Sequence, residues 1–149
     1  MGTTAKTSLA ASIGVALVMA VVTLAPAASM SDAQLVAARQ AAMKQNGMVL
    51  KGAKNLSGQA AIDAATTVLK NFTNFPAQFR KGSITPDSKA TDKIWENWGD
   101  FTSRMADEKA RAQAMLAAAK AGDKAAYTAA ISALTKVCSD CHLTYGRVF

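Results

Sequence analysis

Four stretches of the chain, each roughly 20 residues long, carry apolar residues at three- and four-residue intervals, the spacing of one helix face. The first covers about residues 32–54, with Leu35, Val36, Arg39, Ala42, Met43, Asn46, Val49 and Leu50 on one side. Ser31 or Asp32 can cap its start, and Lys51 and Lys54 suit the negative end of its dipole. After the break Asn-Leu-Ser-Gly at 55–58, a second runs over about 59–79 with Ile62, Ala65, Val68, Leu69, Phe72, Phe75 and Phe79. Pro76 near its end should kink or stop it. Residues 80–93 show no apolar period and form the one long connection. A third helix, capped by Thr91 or Asp92, is expected to reach about 120, with Ile94, Trp95, Trp98, Phe101, Met105, Ala112, Met115, Leu116 and Ala119 as its stripe. Gly122 and Asp123 then end that helix and cap the fourth, about 124–145. Four such helices with mostly short connections imply an all-α, antiparallel up-down-up-down four-helix bundle.

The bundle does not use the whole chain. Lys6 precedes an uncharged, mostly apolar run from Leu9 to Leu24 that closes on Ala25-Pro26-Ala27. That pattern reads as a secretory signal peptide cut after Ala27, and the run is short for a membrane span. Residues 1–27 are therefore expected to be a cleaved leader and 28–149 a single domain in the periplasm, with no stable membrane association after cleavage. The net charge of +7 is spread along the chain rather than clustered with aromatics, which argues against a nucleic-acid surface and for acidic proteins or anionic surfaces as partners.

Both cysteines and the one histidine of the chain fall within five positions near its end, as Cys138, Cys141 and His142. On a helix, positions three and four apart share a face, so two thiols and an imidazole should point at one volume. Cys-x-x-Cys-His is the attachment signature of c-type haem, whose two vinyl groups take two thiols and whose iron takes one nitrogen. A structural disulfide across so short a loop would constrain the unfolded chain little. Zinc would want a fourth Cys or His ligand, which the chain lacks. A thioredoxin-like dithiol belongs at a helix start after a strand, whereas Cys138 lies deep in a helical pattern. One covalent haem c is the expected cofactor, with His142 as the proximal ligand.

With no second histidine, the sixth position falls to methionine, lysine, water or nothing. The methionines beyond the leader are Met30, Met43, Met48, Met105 and Met115. Met105 and Met115 fit the third helix's stripe as core filling. Met43 is favoured as a ligand, because Arg39 one turn earlier on the same face could pair with a haem propionate. The other candidates stay open on the residues alone.

The segments Ala-Arg-Gln-Ala-Ala-Met-Lys-Gln-Asn-Gly at 38–47, Trp-Glu-Asn-Trp-Gly-Asp-Phe at 95–101 and Val-Cys-Ser-Asp-Cys-His-Leu-Thr-Tyr at 137–145 resemble class II c-type cytochromes. That group holds the cytochromes c′ and their low-spin relatives, and the resemblance covers essentially all of residues 28–149. It implies thioether links at Cys138 and Cys141, a proximal ligand at His142, a propionate contact at Arg39 and a distal position at Met43. In the low-spin branch, which residues 43–47 and 94–101 resemble more, a methionine there is the sixth ligand. The implied function is a mono-haem one-electron carrier, not an enzyme, meeting periplasmic redox proteins, with a homodimer through the first two helices as a further implication. The alternative is a five-coordinate cytochrome c′ that binds nitric oxide or carbon monoxide. Lys44, Lys51 and Lys136 are candidates for steering acidic partners, Trp98 is expected in the core, and Trp95 is left open between haem and core. The resemblance fails at one place: the family usually has a basic residue four positions after the haem histidine, and here that residue is Gly146.

Overall fold

The computed structural model describes residues 29–147, so the leader expected over 1–27 lies outside the described residues. Five helices are present among them: α1 (Asp32–Ala53), α2 (Gly58–Asn74), α3 (Lys93–Glu96), α4 (Trp98–Ala121) and α5 (Lys124–Tyr145). The four long ones form the bundle. α1 packs on α2, α2 packs extensively on α4, and α4 on α5, while α1 and α5 barely meet. The ring of helices is thus open on one side.

The helix ends follow from local chemistry. Ser31 Oγ accepts from the Gln34 backbone N–H, and the Gln34 side chain accepts from Ser31 N–H, a reciprocal capping box. An exposed ion pair between Arg80 and Asp32 ties the loop after α2 to that same end. Pro76 stops α2 as expected: the helix ends at Asn74 and a 3-10 turn, Pro76–Gln78, follows. Gly122, at φ 68°, ends α4 in the left-handed conformation, and Asp123 caps α5 by accepting from the Ala126 N–H.

The third helix differs from its expected form. Its start is a separate single turn, α3, and the chain breaks at Asn97 (φ −123°, ψ 44°) before α4 begins. Neither Thr91 nor Asp92 caps it by side chain; the Thr91 hydroxyl instead donates to the Tyr145 carbonyl. The break turns Trp98 outward: it is 40% exposed and stacks on Phe101, contrary to its expected core position. Trp95 stays partly buried and donates its indole N–H to the Phe79 carbonyl.

Two apolar clusters fill the bundle. One holds Leu50, Val68, Phe72, Met115, Tyr127, Ile131 and Leu134. The other holds Phe75, Phe79, Ile94, Phe101, Met105 and Tyr145. Met43 packs against both. Fully buried alanines, Ala65 on α2 and Ala112 on α4, suit the close approach of these two helices. Leu134 is wholly buried on α5, and truncating it to alanine removes apolar contacts and leaves a cavity. Leu134→Ala is expected to cost about 3 kcal/mol of stability, read as a lower urea midpoint at unchanged slope.

Candidate haem-binding site

Where α1 and α5 barely meet, there is a cavity of about 410 Å³. α1 lends it Arg39 and Met43, one turn apart, and α5 lends it Cys141, His142 and Tyr145. Phe75, Phe79, Ile94 and Phe101 supply apolar wall from the end of α2, from α3 and from α4. Cys138 does not border this space. It is exposed one turn earlier, with its thiol donating to the Leu134 carbonyl. The helical spacing therefore brings Cys141 and His142 to the cavity and leaves Cys138 at its side.

Arg39 is buried, and its guanidinium is the hub of the cavity's wall. Its two terminal nitrogens donate to the Gln78 carbonyl, the Ser83 hydroxyl and carbonyl, and the Ser88 hydroxyl, at 2.7–3.2 Å. It also lies over the Phe79 ring, 4.7 Å from the centroid. Every one of these acceptors is neutral. Burial lowers its pKa, and Asp32 partly offsets this.

The far end of the loop is tied to α5. Ala90 and Gly146 form an antiparallel bridge, the Thr91 N–H donates to the Tyr145 carbonyl, and the Arg147 N–H donates to the Lys89 carbonyl. Gly146 ends α5 in extended backbone while its N–H donates to the His142 carbonyl. A Cβ at this position would sit 2.5 Å from that carbonyl oxygen. The missing basic residue thus has a structural reason: a side chain there would collide with the turn that carries His142.

Beside Cys141, on its other side, α4 brings charge. The Tyr145 hydroxyl donates to Asp100, which also accepts from Arg104 at 2.7 Å. These bonds hold the Asp100 carboxyl below its usual range, while burial and then the bond to Asp100 push Tyr145 up to about 12. Glu108 is 8% exposed, with Oε1 3.8 Å from Arg111 Nε and Oε2 without a partner. Burial raises it to about 7, partly offset by Arg111 and reinforced by Asp107. Burial, followed by the Glu108 charge, raises the Cys138 thiol; burial also raises Cys141, against the pull of Arg104.

Reading the sequence missed Glu108 and Tyr145 as members of the site. Both were detectable. Glu108 interrupts the stripe Phe101, Met105, Ala112, Met115 at a position that should be apolar, and Tyr145 lies three residues after His142.

The donor set and cavity together fit haem: an apolar slot between two helices, an imidazole, two free thiols within one turn, and a buried cation with only neutral partners. Similarity to known proteins decides the family. A family model described as Cytochrome C' matches residues 17–146. The chain belongs to the cytochrome c′ family. It is 40% identical over 114 residues to a cytochrome c-556 of Agrobacterium tumefaciens (strain II Chrys), covering 72% of this chain and 92% of that protein. A cytochrome c-556 of Agrobacterium fabrum is 37% identical, covering 72% and 77%. Among solved structures, a cytochrome c prime from Shewanella frigidimarina superposes with a TM-score of 0.71 at 27% identity, covering 79% of this chain and 98% of that one. The chain is therefore a class II cytochrome, a mono-haem electron-transfer protein with covalent haem c. No helix among the described residues is long and apolar enough to cross a membrane.

Two outcomes follow from these side chains. Arg39→Met removes four hydrogen bonds, leaves the buried Ser83 hydroxyl and carbonyl without that donor while Ser88 keeps its bonds to Ala90, and is expected to cost about 3 kcal/mol. Limited proteolysis should then cut the 80–93 loop faster. For Glu108, the folded protein binds its proton more tightly than the unfolded chain does, from a usual 4.5 to about 7. Its contribution is full below about pH 4.5 and is lost as pH rises through about 7, a change on the order of 3 kcal/mol. Glu108→Gln should remove that part of the pH dependence in urea titrations from pH 5 to 8.

Proposed function

We propose that this cytochrome is a periplasmic one-electron carrier whose low-spin haem iron is held by His142 and Met43. The observation that carries the reading is that Met43 on α1 and His142 on α5, two helices that hardly touch, border one cavity. In this reading Cys138 and Cys141 anchor the porphyrin by thioether bonds, and His142 gives an imidazole nitrogen to the iron. When bound, haem supplies an iron that gains and loses a single electron. Met43 would supply a thioether sulfur to the iron, a ligand that favours the reduced state and keeps small molecules off the metal. Arg39 would offer its charge to a propionate; its four hydrogen-bond partners are neutral oxygens, and Asp32 compensates the charge only in part. Phe75, Phe79 and Phe101 exclude water from the porphyrin face.

Exposed Lys44, Lys51 and Lys136 suit brief, salt-sensitive encounters with acidic redox partners. The leader over residues 1–27 accounts for export to the compartment in which the partners are met. Met48, 60% exposed on α1, is the apolar surface group that suits pairing of two copies through α1 and α2.

A second reading is a five-coordinate site open to nitric oxide or carbon monoxide. What favours it is that Met43 is half-buried and packs against both apolar clusters, so its position is also explained by packing. Visible spectra of the holoprotein separate the two. The proposed ligation gives narrow low-spin bands with a sulfur-to-iron charge-transfer feature and no response to carbon monoxide. Met43→Ala is expected to give broad high-spin bands, carbon monoxide binding and a lower midpoint potential. Low-spin bands that survive the substitution unchanged would remove Met43 from the iron.

A further inference from the structure

Cys141 borders a second space as well as the haem cavity: a polar pocket of about 290 Å³ between α4 and α5. Glu108 reaches this pocket from α4 as the most buried of its carboxylates. Its Oε2 has no partner, and its nearest cation, Arg111, is 3.8 Å from Oε1 and has an unpartnered buried Nε of its own. A carboxylate so placed is neither solvated nor properly paired.

We propose that Glu108 is a proton-binding site coupled to the electron, taking up a proton as the haem iron is reduced and releasing it as the iron is oxidised. This rests on the electron-carrier reading but not on Met43 as ligand. The step balances simply. The redox partner supplies one electron to the iron; a solvent hydronium ion gives one proton to Glu108 Oε2, its O–H bond breaking as the carboxyl O–H forms, and leaves as water. Oxidation reverses both transfers.

The driving force is charge. Reduction removes one unit of positive charge from the iron, and a nearby carboxylate then holds its proton more tightly. By linkage, a protonated Glu108 favours the reduced iron to the same degree. The groups facing Glu108 do not cancel this. On α4, Asp100 and Arg104 are paired with each other; at Glu108 the pull of Arg111 exceeds the push of Asp107, and burial outweighs both. From α5 come Asp140 and the two cysteines, and α2 adds no residue to the pocket's lining. Once the thiols are thioethers they carry no proton, which leaves Glu108 as the buried group that can titrate near neutral pH.

The test is the midpoint potential of the holoprotein between pH 5 and 9, with infrared reduced-minus-oxidised spectra of the same samples. The parent should show a potential that falls as pH rises around 7, corresponding to about a tenfold gain in proton affinity on reduction. A protonated-carboxyl band should appear on reduction and shift in D2O. Glu108→Gln should make the potential flat near the parent's acid limit and abolish the band; Glu108→Asp should restore a pH dependence. A pH dependence and carboxyl band that persist in Glu108→Gln would overturn the proposal by assigning the proton elsewhere, and so would a parent potential independent of pH. Visible spectra of these samples report the spin state separately: high-spin bands would sink Met43 ligation while the pH response still decides Glu108.

Discussion

The buried guanidinium of Arg39 governs the geometry on which the site depends. Alone it would be costly, a cation taken out of water with no carboxylate beside it. The loop over residues 78–88 makes it tolerable by turning two carbonyls and two hydroxyls toward it. The constraint then acts in both directions. The cation orders a stretch that has no apolar face of its own, and the ordered stretch carries its far end to α5, where Ala90 and Thr91 bond to Gly146 and Tyr145. One side chain on the first helix thereby fixes where the last helix stops.

Packing explains why an opening exists at all. α2 and α4 come close over alanines, and α4 and α5 share a filled core of Tyr127, Ile131 and Leu134. α1 has no equivalent partner in α5. Around the gap, five aromatic rings from different parts of the chain, Phe75, Phe79, Trp98, Phe101 and Tyr145, are linked by contacts of 4.8–5.6 Å. Those ring-to-ring contacts tie the end of α2, the start of α4 and the end of α5 to one another.

Much of this was legible in the sequence. Periodicity located the four long helices, because each buries one face, and the caps at Ser31 and Asp123 follow from residue type. Cys-x-x-Cys-His pointed to haem through its spacing alone. What escaped the reading depends on contacts distant in sequence. Ile94, Trp98 and Phe101 keep helical spacing, so nothing local marks the break at Asn97; it places Ile94 and Phe101 inside while Trp98 turns out. Ser83 and Ser88 look like ordinary loop residues until Arg39, more than 40 positions away, is brought beside them. Cys138 shares a helix face with its companions, yet the cavity's edge passes between it and Cys141, a matter of how α5 is rotated against α4.

Gly146 has a consequence for how fast the protein can work. Its amide closes the final turn of α5 on the His142 carbonyl, and its backbone is clamped to Ala90. The segment bearing the imidazole is therefore gripped at a helix end and by a neighbouring strand-like bridge, with no side chain present to pry them apart. In the proposed ligation, such a mount would limit how far the imidazole shifts when the metal changes charge, and a small shift would keep the reorganisation energy of electron transfer low.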